Sequence, residues 1–158
     1  MRMGHDYISV CTFIASDFYL PEVAPAQDYP LDITIDNGTI YDGGADDNYS
    51  LIFFENVEDY TAKKYGVYLD WHCTDGRAKQ VIEYTKAALQ KVDIIEFWHV
   101  WLMNYYKFED RPFIHRRTIS IDELTTAHIK DIDDSVIWNS PDKVYPGRPS
   151  FYCLTIMR

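Results

Sequence analysis

YGVYLDWHCTDGRAKQVIEYTKAALQKVDIIEFWHVWLM, residues 65–103, is the stretch that decides the fold. Tyr65, Val67, Leu69, Trp71 and Cys73 alternate with Tyr68, Asp70 and His72, the period of a strand with one buried face over Tyr65 to Cys73. Thr74-Asp75-Gly76 breaks that pattern. From Gly76 to Lys91 the period changes: Ala78, Val81, Ile82, Thr85, Ala88 and Leu89 recur at helical spacing, which predicts an amphipathic helix. Its outer face is expected to carry Arg77, Lys79, Lys86 and Lys91 against Glu83, and Thr74 or Asp75 is placed to cap its first turn. Val92 to Met103 is then apolar on both parities, as a strand in the middle of a sheet must be. Strand, helix and strand make a β-α-β unit, whose crossover is expected to be parallel and right-handed.

Working outward, Leu31-Asp32-Ile33-Thr34-Ile35-Asp36 and Thr39-Ile40-Tyr41 flank Asn37-Gly38. That pair supplies the positive φ angles of a two-residue hairpin turn, so a hairpin is predicted. Further strands are expected at Tyr7 to Ile14, Leu51 to Phe54 (short and buried), Phe113 to Ile121 and Ser150 to Met157. Pro21, Pro25 and Pro30 make Asp17 to Pro30 irregular, and Asp42 to Asn48 and Val136 to Pro149 read as loops. Glu55 to Lys64 holds at most a single helical turn. Thr125 looks like an N-cap, with Leu124 and Ile129 as a hydrophobic staple, and starts a short helix over about 125–132. The fold class is therefore α+β. One mixed, mainly antiparallel sheet carries the main amphipathic helix, about 76–91, on a face. No linker or repeat divides residues 1–158, so a single globular domain is expected.

Composition narrows the function classes. Cys11, Cys73 and Cys153 lie far apart inside apolar runs without a CxxC pair, so buried thiols and a reducing cytoplasm are expected rather than zinc or disulfides. No apolar run approaches the ~18 residues of a membrane helix, so no membrane partner is expected. Asp6, Ser9 and Thr12 interrupt the one stretch that resembles a signal segment. The net charge is −10. Residues 1–75 hold 14 Asp/Glu against 3 Lys/Arg, whereas residues 76–158 hold 11 against 12, so the excess belongs to the first half. Phosphate would be repelled there and a basic partner attracted.

The candidate chemistry is sparse. Asp70 and His72 share a strand face at the carboxyl end of a strand, where ligands favour α/β units, and a carboxylate can orient a general base. No nucleophile accompanies them. His99, between Phe97 and Trp101, reads as a hydrogen-bonded core histidine before a catalytic one. The five histidines show no metal-ligand spacing, the Asp42–Asn48 loop lacks the EF-hand pattern, and phosphate-loop and dinucleotide fingerprints are missing. No metal or cofactor is expected. Arg111, Arg116 and Arg117 lie near aromatic residues, but Glu109 and Asp110 intervene, and they read as a solvated face rather than a nucleic-acid patch.

These readings favour a non-catalytic, acidic protein-binding module over an enzyme. In its sharper form the protein neutralises a basic partner, as immunity proteins neutralise nuclease toxins. Asp42, Asp46, Asp47, Glu55, Glu58 and Asp59 are its candidate contacts, with Tyr and Trp as anchors. Two alternatives are a small enzyme or ligand-binding domain using Asp70, His72 and His99, and a self-associating subunit such as a homodimer.

Overall fold

β1 (Ser9–Ser16) runs between two strands that are parallel to each other: β5 (Tyr65–Asp70) pairs antiparallel on one side and β6 (Ile94–Leu102) antiparallel on the other. The crossover helix that joins β5 to β6 is α1 (Asp75–Ala88). The expected β-α-β unit is thus present, with β1 inserted into it. The computed structural model describes residues 9–24, 34–36, 39–41, 49–71, 73–102, 114–134 and 151–158. The remaining described strands and α-helix are β2 (Thr34–Asp36), β3 (Thr39–Tyr41), β4 (Ser50–Phe53), β7 (Ile114–Ser120), α2 (Thr126–Asp134) and β8 (Phe151–Met157).

Among the described residues the main sheet has six strands in the order β4-β5-β1-β6-β8-β7, of which only the β7–β8 pair is parallel. This is the mixed, mainly antiparallel α+β sheet expected from the sequence. β2 and β3 form a separate two-stranded sheet whose register, Asp36 opposite Thr39, leaves the two-residue connection that Asn37-Gly38 called for. Asn37 and Gly38 themselves lie outside the described residues.

Both faces of the sheet are buried. On one face Ile14, Leu51, Val67, Ile95, Phe97, Leu154 and Ile156 pack under Ala78, Val81 and Ile82 of α1 and Ile129 and Ile132 of α2. On the other, Phe13, Ala15, Trp98, Val100, Phe151 and Cys153 pack under Phe54, Val57 and Tyr60. A strand covered on both sides must be apolar on both parities, and this is why β6 reads as it does.

Local chemistry sets the helix ends. The Thr74 hydroxyl accepts from the Arg77 N–H at 3.2 Å, satisfying one of the free donors of the first turn of α1. Before α2, the Thr125 N–H donates to the His128 ring nitrogen Nδ1 at 3.0 Å, the part a glutamate usually plays in a capping box. Leu124 and Ile129 are both buried in the helix-side core, as the staple requires.

Four expectations are corrected. β5 ends at Asp70 rather than Cys73, because the chain turns to bring Thr74 to the helix end. Trp71 leaves the sheet, and its indole Nε1–H donates to Asp133 Oδ1 at 3.0 Å. α1 ends at Ala88, and Gln90 and Lys91 tighten into i→i+3 bonds. Arg77, assigned to the outer face, is fully buried. Its position is four residues before Val81 and eight before Thr85, so its spacing belongs to the buried stripe although its charge argued otherwise. Finally, β4 is an edge strand, so Phe53 is 54% exposed while Leu51 is fully buried.

Candidate functional site

The segment 54–61 joins β4 to β5 and folds back over the sheet. Tyr60 and Thr61 N–H groups both donate to the Val57 carbonyl, closing a short 3-10 turn over Val57–Asp59. The side chains divide cleanly. Phe54, Val57 and Tyr60 point down into the core, and Glu55, Glu58 and Asp59 point out to solvent. A 3-residue period produces that division, since i and i+3 eclipse in this helix type.

Four features fix the platform beneath the acids. The Phe54 ring packs on Phe13 with centroids 4.8 Å apart, and the Tyr60 ring lies 5.7 Å from both Phe13 and Phe151. The Phe54 N–H donates to the Gly66 carbonyl at 2.9 Å. The Thr61 hydroxyl donates to Glu96 Oε1, which also accepts from the Trp98 indole N–H at 2.9 Å. Val57 sits directly on Gly66, where an added Cβ would lie 2.6 Å from Val57 Cγ2. The glycine is needed here for close approach.

Three carboxylates in a five-residue segment, exposed and held on a packed base, are what a preorganised interface for positive charge requires. Glu55 and Glu58 form no ion pair among the described residues, while Asp17 on the neighbouring loop is already engaged by Lys63 at 3.2 Å. Asp42, Asp46 and Asp47, the other acidic candidates, lie outside the described residues.

Of the enzyme-like candidates, Asp70 and His99 are described, and the sheet does not bring these two together. Asp70 ends β5 exposed, on the face opposite Leu69 and the helices. His99 is 1% exposed in β6, two strands away, and projects to the helix side, where its Nδ1 meets the Thr12 hydroxyl at 3.1 Å. Asp70 and His99 therefore face opposite sides of the sheet. His72 lies outside the described residues.

Burial pushes the Cys11 and Cys153 thiols up to about 12 and Cys73 up to about 11, so none offers a thiolate nucleophile near neutral pH. Among the described residues no three His, Cys, Asp or Glu side chains converge as a metal site, and no helix is long and apolar enough to cross a membrane.

One constellation had no signal in the sequence. Thr12, His99, Tyr152 and His115 stand in register across β1, β6, β8 and β7. The His115 ring stacks on Tyr152 with centroids 5.0 Å apart, and the His99 ring lies 6.2 Å from Tyr152. Its members are up to 140 positions apart in the chain, and only the strand order aligns them. No family model, curated protein or solved structure matches the chain.

Proposed function

We propose that the protein is a non-catalytic, acidic protein-binding module whose partner is basic. The observation that carries this reading is the display of Glu55, Glu58 and Asp59 on the anchored 54–61 turn, in the half of the chain that holds the negative excess. A turn whose backbone is anchored before binding loses little main-chain freedom on contact, and the exposed carboxylates it carries steer a basic partner. Asp42, Asp46 and Asp47 extend the same charge along the sequence. Exposed Tyr19, 58% accessible, and Phe53 supply aromatic area of the kind that anchors interfaces.

The narrower form of the proposal is an immunity-type protein. Nucleases carry clustered Lys and Arg for substrate phosphate, and an acidic, rigid surface competes for that cluster. The role is exercised in the cytoplasm, where buried free thiols such as Cys11 and Cys153 stay reduced.

Affinity capture from lysate of the source organism, at low and high salt, tests the proposal. Retention of a basic protein at low salt that is weakened at high salt supports it. Capture of no basic protein at either salt rejects it.

A further inference from the structure

Among the described residues five large apolar side chains are exposed, and four of them stand together where the end of β1 meets the start of β5: Phe18 (47%), Tyr19 (58%), Phe53 (54%) and Tyr65 (37%). Tyr65 lies opposite Ser16, and the Tyr19 ring meets the Tyr65 ring edge-on with centroids 6.1 Å apart. Phe53 lies opposite Val67, two residues from Tyr65, and diagonal neighbours on one sheet face are within reach of aromatic side chains. Phe53 and Tyr65 share the parity of Leu51 and Val67, so they belong to the helix-side face. The backbone under the rings is pinned. The Phe18 N–H donates to Ser16 Oγ at 3.0 Å, and the Phe53 N–H donates to Glu22 Oε2 at 2.8 Å. Val23 exchanges two backbone bonds with Leu51 at 3.0 Å each, and the Tyr84 hydroxyl donates to the Pro21 carbonyl at 2.6 Å.

We infer that this aromatic patch is the contact face of a homodimer, seated on the same patch of a second copy of the chain. Aromatic side chains cover about 150–250 Å² each, so four half-exposed rings leave about 300–500 Å² of apolar surface in water. A patch of that size is on the scale that marks an interaction site, and it is roughly half of the ~800 Å² that one partner contributes to a stable interface. The charges around the rings select the occupant. Asp17 pairs with Lys63 at 3.2 Å, Lys91 Nζ lies 6.0 Å over the Phe18 ring, Glu22 is tied to Phe53, and Lys64 precedes Tyr65. Two acids against three bases make this rim close to neutral in a chain of net charge −10. A basic partner calls for acids alone. A twofold contact calls for both signs, because each patch must complement itself, and for a place where two acidic chains repel least. Tyr19 and Phe53, whose rings suit either occupant, are thereby assigned to the second copy. The acidic 54–61 turn packs on the other face, on Phe13 and Phe151, so the dimer displays two such turns.

Sedimentation equilibrium of the full chain, over a range of concentrations at low and high salt, tests the inference. A monomer–dimer equilibrium with substantial dimer by about 100 µM is expected. The dimer should hold or strengthen as salt rises, because screening weakens the repulsion between two acidic chains; a basic partner shows the reverse salt response. Tyr19→Ser/Phe53→Ser removes exposed rings and should weaken the dimer roughly tenfold or more, with circular dichroism unchanged. Glu55→Gln/Glu58→Gln, on the acidic turn, should leave it at least as strong. Hydroxyl-radical footprinting of the wild type gives a readout free of substitutions: Tyr19, Phe53 and Tyr65 should lose reactivity as the dimer fills. A monomer at every concentration, equal dimerisation of the Ser variant, or a dimer whose three rings keep their monomer reactivity overturns the inference. A basic protein captured by the wild type and lost from the Ser variant assigns the patch to that partner, and also overturns it.

Discussion

Substituting Gly66 by alanine asks whether the acidic turn truly rests on the sheet. On backbone grounds alone the change in a strand interior is favourable, by about 0.5–1 kcal/mol, because glycine loses more freedom on folding than alanine. Packing says the opposite. The new Cβ would lie 2.6 Å from Val57 Cγ2 and 2.9 Å from Val57 Cβ, both well inside van der Waals contact. The turn cannot rise freely, since Phe54, Tyr60 and Thr61 hold it to Phe13, Phe151 and Glu96. Overpacking costs about 1–3 kcal/mol, and contacts this short against an anchored turn belong to the upper part of that range, about 2–3 kcal/mol, so Gly66→Ala should be destabilising by about 1–2 kcal/mol after a backbone gain of up to about 1 kcal/mol. For a domain of this size that lowers Tm by roughly 2–8 °C. Chemical denaturation gives the free energy and calorimetry the midpoint. The double variant with Val57→Ala removes the nearer clashing atom but leaves the Cβ, so it should recover part of the Gly66→Ala loss relative to Val57→Ala alone. A Gly66→Ala protein as stable as wild type, or more stable, refutes the packing of Val57 on Gly66 and with it the rigid display of the three carboxylates.

Four further outcomes are expected. At pH 8 the thiols of the native protein should react with a disulfide reagent far more slowly than in denaturant, because Cys11 and Cys153 are raised to about 12 and Cys73 to about 11 by burial. These raised values also stabilise the fold fully below the unfolded thiol value near 8.5–9 and lose that contribution as pH climbs through 11–12, so urea midpoints should fall across that window. Thr74→Ala removes the acceptor for the Arg77 N–H and should cost about 0.5–2 kcal/mol in urea denaturation. Thr12→Val deletes the hydroxyl at His99 Nδ1, leaving a buried ring nitrogen without that partner, and should cost about 1–3 kcal/mol by the same assay.

Much of the local structure is legible in the sequence, and for stated reasons. Alternation at Tyr65 to Leu69, the stripe from Ala78 to Leu89, Thr74 as cap, and the Leu124–Ile129 staple are all interactions between near neighbours, where spacing fixes geometry. Arg77 shows the limit of that reasoning: its spacing placed it inside, its charge placed it outside, and tertiary burial followed the spacing. The insertion of β1 between β5 and β6, the parallel β7–β8 pair and the sealing of β4 by Glu22 and Val23 depend on partners far along the chain. The candidate site divides in the same way. Glu55, Glu58 and Asp59 stand out in the sequence by charge, but Gly66, Phe13 and Glu96, which hold their turn, are identifiable only once the sheet is assembled.

The most direct test of the central claim is to repeat the capture with the charge-reversed variant Glu55→Lys/Glu58→Lys/Asp59→Lys, with its fold checked by circular dichroism. The account predicts that a basic protein held by the wild type at low salt is lost from the variant. The same protein retained equally by both would contradict the assignment of the 54–61 turn as the binding surface.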